Sequence, residues 1–203
     1  MKSKMKKLAR AFYLQPDVVQ VAKELLGKVL VTNFEGILTS GRIVETEAYA
    51  GETDRASHAS KGRTNRTEVI FGEGGRAYVY LCYGIHQMFN IVTNKAGVPH
   101  AILIRAVEPM EGVEDMLIRT GKAKPDHSLT RGPGNVGKAL GFHTSQCGLS
   151  LTGPELYVAD DGFLVDPASI VASPRIGVDY AGEHAEWHYR FYLKGNPYVS
   201  GKK

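Results

Sequence analysis

Two glutamates stand two residues apart in GRIVETEAY, residues 41–49, and an arginine interrupts the apolar run HAILIRAVEP, residues 100–109. On an extended strand Glu45 and Glu47 project to one side, roughly 6.6 Å apart along the chain. Strict alternation adds Ile43 and Tyr49 to that face and sends Arg42, Val44, Thr46 and Ala48 to the other, so the carboxylates do not point at open water. Paired carboxylates suit acid–base work, and the reaction they fit is activation of water for attack at a sugar carbon. They would also satisfy an arginine as a plain ion pair, which is the expectation for one of the two. Arg105, inside an otherwise buried strand, needs a carboxylate partner. Glu45 and Glu47 are the candidates, and Arg105 is then either structural or also the group that orients a catalytic carboxylate and its water.

The segment AYVYLCYGIHQMFN, residues 77–90, reads as a β-hairpin rich in aromatic surface. Alternation puts Tyr78 and Tyr80 on one face and Val79 and Leu81 on the other. Gly84-Ile85 as a two-residue loop fits a type II′ turn, and Tyr83 then projects at the tip. An aromatic wall with a wedge beside it is what unstacking and holding one base of a duplex requires. The alternative is a core hairpin with an incidental tyrosine at its turn.

Other candidate chemistry is weaker. His184 and His188 have i, i+4 spacing, but HAEWH lacks the glutamate of a zincin and no third ligand is evident, so no metal site is expected. His58 lies in DRASHAS as an ordinary loop histidine. Gly132–Gly137 (GPGNVG) matches a dinucleotide fingerprint without a buried strand before it and with Pro133 inside the turn. The start of a helix there would still favour a phosphate, including one of a nucleic-acid backbone, with Arg131 and Lys138 adding charge. No lysine stands out as the buried amine of a Schiff-base enzyme, which favours water as the nucleophile.

The elements that must position these groups follow from periodicity. Val18, Val21, Ala22 and Leu25 mark a helix over Val18–Leu26, opened by Pro16-Asp17 and ended by Gly27. Strands are expected at Val29–Asn33, Gly41–Tyr49 and Ala101–Val107, with a helix over Glu111–Thr120. Further strands are expected at Glu155–Ala159 and Tyr189–Leu193, and a glycine-rich helix start within 131–142. Residues 50–75 read as a long loop, and a loop of that length within a domain is usually functional. The order favours a single α+β domain.

With 203 residues, 43% hydrophobic and 23% charged, the chain can bury a proper core. Cys82 and Cys147 match no metal or redox spacing, which fits a reducing compartment. The basic N-terminus lacks the apolar run of a signal peptide, and no segment has the length of a membrane span. The net charge of +4 suits a polyanion, although Lys2, Lys4, Lys6, Lys7, Lys202 and Lys203 hold much of it at the ends, where a solvated tail serves as well as a nucleic-acid grip.

GRIVETEAY, the D-x-x-x-H of Asp54 and His58, AYVYLCYG with Asn90 downstream, LIRAVEP and the closing RFYLKGNPYVS together resemble the alkyladenine DNA glycosylases, the mammalian-type 3-methyladenine DNA glycosylase family. The resemblance is collinear from about Phe12 to Ser200. It implies a basic tail at 1–11 and one glycosylase domain at 12–200, with a curved, mainly antiparallel sheet, flanking helices and a hairpin that enters the DNA minor groove. It further implies Glu47 as the general base and Arg105 as the group that helps hold the attacking water. Tyr49, His58 and Tyr80 would clasp the flipped base, and Asn90 would reject the guanine amino group. Tyr83 would intercalate, with Ile85 where another apolar residue often helps. Arg63 and Arg66 resemble an arginine-bearing loop that touches the DNA backbone, with Arg131 and Lys138 as further backbone candidates. The partner would be double-stranded damaged DNA, bound by a monomer with no cofactor and no membrane. Because the sequence begins almost at the catalytic domain, a compact bacterial-type protein of the cytoplasm and nucleoid is expected, or a nuclear one in a eukaryote.

The activity so implied is monofunctional excision of alkylated or deaminated purines, leaving an abasic site. A catalytically silent damaged-DNA-binding module would bind lesions with no turnover for Glu47→Gln to abolish. A carbohydrate glycosidase using Glu45 and Glu47 would ignore DNA. An oxidoreductase would bind a dinucleotide at Gly132–Gly137.

Overall fold

A 13-residue strand, β3 (Ile37–Tyr49), is the spine of the structure, a computed structural model that describes residues 5–201. Its first half pairs with β2 (Val29–Phe34) and its far end with β9 (Arg190–Leu193). Along its length it also pairs with β6 (His100–Glu111). Beyond β6 come β5 (His86–Thr93) and β4 (Arg76–Cys82); beyond β2 come β7 (Leu156–Asp160) and the short β1 (Lys6–Lys7). β8 (Ile170–Ser173) extends from β9. Among the described residues every pairing is antiparallel and nine strands form one curled sheet, so the α+β architecture with a curved antiparallel sheet is what the chain adopts.

Short α-helices flank the sheet. α1 spans Arg10–Tyr13, and α2 spans Val18–Glu24, where the Asp17 carboxylate caps the Val19 and Gln20 amides. α3 (Val113–Thr120) buries Met116, and α4 (Pro133–Ala139) starts with proline at its first position. α4 lies hard against β5: a Cβ on Gly137 would stand 1.8 Å from the Gln87 carbonyl oxygen. One on Gly134 would stand 2.6 Å from His86 Nδ1. These two glycines therefore serve helix–strand packing, and the fingerprint-like spacing has a steric origin. Behind them Phe89 stacks on Phe142 at 4.1 Å in the main core.

The sheet begins inside the stretch read as a tail, because Lys6 and Lys7 pair with Asp160 and Ala159 while keeping their side chains exposed. Lys2, Lys4, Lys202 and Lys203 lie outside the described residues. Residues 50–75 form a strandless loop of three short 3-10 helices, Gly51–Thr53, His58–Lys61 and Glu68–Phe71. Among the described residues no helix is long and apolar enough to cross a membrane.

Two bulges interrupt the central pair. Ile43 faces Val107 and Glu45 faces Ala106, yet Thr46 faces Ile104. Val44 on β3 and Arg105 on β6 are each the extra residue, and the second bulge restores the register that the first one shifts. The expected alternation fails here: Ile43 and Val44, neighbours in sequence, both enter the main core. Bulges re-aim side chains, and these two sit where three charged groups meet.

Candidate active site

Glu45, Glu47 and Arg105 come together as the sequence reading required. Arg105 Nε donates to Glu45 Oε1 at 3.1 Å and Nη1 to Glu47 Oε2 at 3.2 Å. Glu45 is saturated by further donors: Arg190 Nε at 2.6 Å, the Ser200 amide at 2.7 Å and the Ser200 hydroxyl at 3.0 Å. Glu47 accepts from the Tyr49 hydroxyl at 2.8 Å and the Ile176 amide at 2.8 Å. Burial works against the charge of Arg105, but Glu47 and Glu45 outweigh it and hold the guanidinium proton more tightly than usual.

Above this cluster opens a cavity of about 480 Å³, lined by Tyr49, His58, Tyr80, Asn90 and Arg105 among others. Glu47 itself is 0% exposed and lies one layer beneath, reached through Tyr49 and Arg105. Burial, and then the Glu47 charge, push the Tyr49 phenol well above its ordinary range, so it remains a donor to Glu47. His58 Nδ1 lies 2.8 Å from the Tyr78 hydroxyl and the ring meets Tyr80 edge-on at 4.6 Å. Burial, with Arg66 and Lys61 nearby, lowers the His58 pKa to about 4, so the imidazole is neutral at physiological pH. The Asn90 side chain is fixed by its amide nitrogen, which donates to the Tyr78 carbonyl at 3.2 Å.

The hairpin forms as β4 and β5, with Tyr78 and Tyr80 toward the cavity and Val79 in the main core. Its turn differs from the expected one. Cys82 pairs with His86, the Ile85 amide donates to the Cys82 carbonyl, and Tyr83 and Gly84 are the central residues at φ 50° and 73°. Positive φ at both positions makes this a type I′ turn rather than II′. A left-handed tyrosine costs on the order of 1–2 kcal/mol, and Tyr83 is 91% exposed at the cavity's edge. Ile85 is also exposed at the tip but does not line the cavity.

Of the weaker candidates, only Arg66 lines the cavity, with its guanidinium 5.0 Å from the Tyr80 ring centre. Arg63 pairs with Glu68 at 3.1 Å. Arg131 bonds the Pro197 carbonyl, holding the C-terminal segment. Lys138 is exposed on the last turn of α4, away from the helix start, where Pro133 meets the cavity. His184, half of the i, i+4 pair, accepts the Arg55 amide at 3.0 Å and stacks on Trp187 at 4.1 Å.

Sequence reasoning missed a second buried pair. Asp54 and Arg175, both fully buried, join at 2.5 and 2.9 Å, and Arg175 also donates to the Ala48 and His184 carbonyls. This pair fastens the loop carrying His58 to the segment that brings Ile176 to Glu47. Arg190 was missed as well, although its place at the start of an apolar strand is the same signal that singled out Arg105. Tyr180, 71% exposed on the cavity's rim with its hydroxyl bonded to the Ala56 carbonyl, carries no pattern that would have found it.

Residues 11–197 match the methylpurine-DNA glycosylase family. A protein of Methanocella arvoryzae is 50% identical over 194 residues, 95% of each chain. One of Chlamydia abortus is 46% identical over 188 residues, covering 92% of this chain and 97% of its own. One of Clostridium perfringens is 43% identical over 205 residues, 97% of this chain and all of its own. Each bears the name "Putative 3-methyladenine DNA glycosylase". A match over most of the chain, with relatives of nearly the same length, settles the family: the chain belongs to the methylpurine-DNA glycosylases.

Proposed function

We propose that the protein is a monofunctional DNA glycosylase that flips an alkylated or deaminated purine out of duplex DNA and hydrolyses its N-glycosidic bond. The observation that carries this reading is the cavity: aromatic walls, a floor of Arg105 and Tyr49 that both contact buried Glu47, and an exposed tyrosine wedge at its edge. Tyr83, with Ile85 beside it, enters the stack as the nucleotide rotates out, at a cost of a few kcal/mol that is least for weakly paired lesions. The base is held by stacking, with Tyr49 on one side and Tyr80 and His58 on the other, each contact contributing roughly 1–3 kcal/mol. His58 and Tyr80 touch each other, so they form one wall and no base fits between them. Asn90, held rigidly by the hairpin backbone, opposes the exocyclic amino group of guanine.

In the chemical step the bond from C1′ to the purine nitrogen breaks and its electron pair leaves with the base, so a cationic alkylpurine departs neutral and a neutral purine takes up a proton as it leaves. Water adds its oxygen to C1′, and Glu47 takes the proton that water loses. Arg105 positions Glu47 and that water, and the carboxylate's charge stabilises the sugar cation. Tyr49 and Ile176 hold the carboxylate in place. Among the described residues lining the cavity none is a lysine, the amine a Schiff-base lyase uses, which supports water as the nucleophile. The substrates in view are 3-methyladenine, 7-methylguanine, hypoxanthine and etheno-adenine. Arg63, Arg131 and Lys138 are the candidates for backbone contact, a term that weakens with salt.

Incubation with duplexes containing one hypoxanthine or one 7-methylguanine tests this. Release of the free base, with an intact strand that breaks only under alkali, is the expected result. Strand cleavage without alkali would show a lyase, and lesion binding without release would show a damage-binding module.

A further inference from the structure

Both tyrosines that would clasp the base already carry a guanidinium. Arg175 lies 4.8 Å from the Tyr49 ring centre, and Arg66 lies 5.0 Å from that of Tyr80. The two differ in compensation. Arg175 is neutralised by the buried carboxylate of Asp54. Arg66 has no carboxylate within ion-pair distance among the described residues, and its side chain lines the cavity. The cavity wall therefore presents one uncompensated positive charge to whatever binds there. Its field reaches the base-facing groups: Arg66 stands, after burial, among the causes that hold down the His58 proton affinity, and it opposes the effect of burial on the Tyr78 phenol.

The consequence concerns the charge of the substrate. An aromatic face attracts a cation through its quadrupole, and Arg66, exposed at the cavity wall, already stands 5.0 Å from the Tyr80 ring centre. A purine made cationic by alkylation of its ring must enter beside a like charge, whereas a neutral purine pays no such repulsion. Resting on the glycosylase reading above, we propose that Arg66 is a specificity-determining residue that biases the site toward neutral damaged purines, such as hypoxanthine and etheno-adenine, over cationic alkylpurines.

The test compares single-turnover excision at saturating enzyme from one duplex sequence carrying either 7-methylguanine or hypoxanthine. It is run at pH 6, where 7-methylguanine is cationic, with wild type, Arg66→Gln and Arg66→Lys. The ratio of the 7-methylguanine rate to the hypoxanthine rate should rise about tenfold in Arg66→Gln, the effect of removing one nearby like charge in a partly solvated site. In Arg66→Lys, which keeps the charge, the ratio should stay within about twofold of wild type. Equal loss of both rates in Arg66→Gln with the ratio unchanged overturns the inference and makes Arg66 a phosphate contact. An equal rise of the ratio in Arg66→Lys also overturns it, because shape rather than charge would then be read. Release of neither base by the wild type rejects the glycosylase reading itself and the inference with it, an outcome distinct from an unchanged ratio.

Discussion

Glu45 and Glu47 share a strand, a face and an arginine, and differ in their remaining partners. Glu45 faces three protein partners, Arg105, Arg190 and Ser200, which together supply four donors and leave it no opening. Glu47 is held by Arg105, Tyr49 and Ile176, all three of which line the cavity. One carboxylate ties the C-terminal segment to the sheet across 155 residues, and the other stands directly beneath a space large enough for a base. Identical side chains two positions apart thus divide into one tied to the C-terminal segment and one set beneath the cavity, and the division is made by which segments return to meet them.

The comparison can be broken most severely at the fastening. Glu45→Gln leaves Arg105 and Arg190 with an uncompensated buried charge, and should destabilise the fold by about 3–5 kcal/mol. Denaturant titration checks this, and a loss below about 1 kcal/mol would show that Glu45 is not the anchor. The next effect is at the boundary between the two glutamates. Tyr49→Phe keeps the aromatic wall but removes one donor to the Glu47 carboxylate, a bond worth about 1.5–3 kcal/mol. Single-turnover excision should slow about tenfold while lesion binding holds, and weakened binding with an unchanged rate would place Tyr49 in recognition alone.

A further effect is in pH dependence and concerns the cavity wall. The folded His58 pKa, about 4, lies below the unfolded value of roughly 6.5. Between those values the unfolded chain binds a proton that the folded chain does not, so stability falls as pH drops from 6.5 toward 4 and is unaffected by His58 above 6.5. Melting temperatures across pH 4–8 should show this slope, and His58→Gln should flatten it. A His58 proton resonance that titrates near 6.5 would contradict the assignment.

Much of the fold was legible because it is local. The Val18, Val21, Ala22 and Leu25 spacing marks α2, although the helix ends at Glu24, short of the expected Leu26 and of Gly27 at φ 81°, and the alternation of Tyr78 and Tyr80 survives in β4. An arginine in an apolar strand demanded a carboxylate, and Arg105 has two. What was not legible depends on distant chain. Nothing near Asp54 announces Arg175, 121 residues away, and nothing in GRIVETEAY reveals that Ser200 would saturate one glutamate and Ile176 meet the other. The turn differs for another reason: glycine marks one positive-φ position, Gly84, but not that Tyr83 takes a second, so the loop is Tyr83-Gly84 rather than Gly84-Ile85. Gly134 and Gly137 account for the weak fingerprint match, a nucleotide-like spacing produced by the close approach of α4 to β5.

The central claim is that Glu47 does the chemistry while Glu45 holds the site together. It is tested most directly by single-turnover excision of hypoxanthine from duplex DNA with wild type and Glu47→Gln, alongside lesion-binding affinity and a melting curve for each. The account predicts that the variant folds, binds the lesion as tightly as wild type and excises it about 10²–10⁴-fold more slowly. Excision within a few-fold of wild type would contradict it and move the search for the general base elsewhere in the cavity.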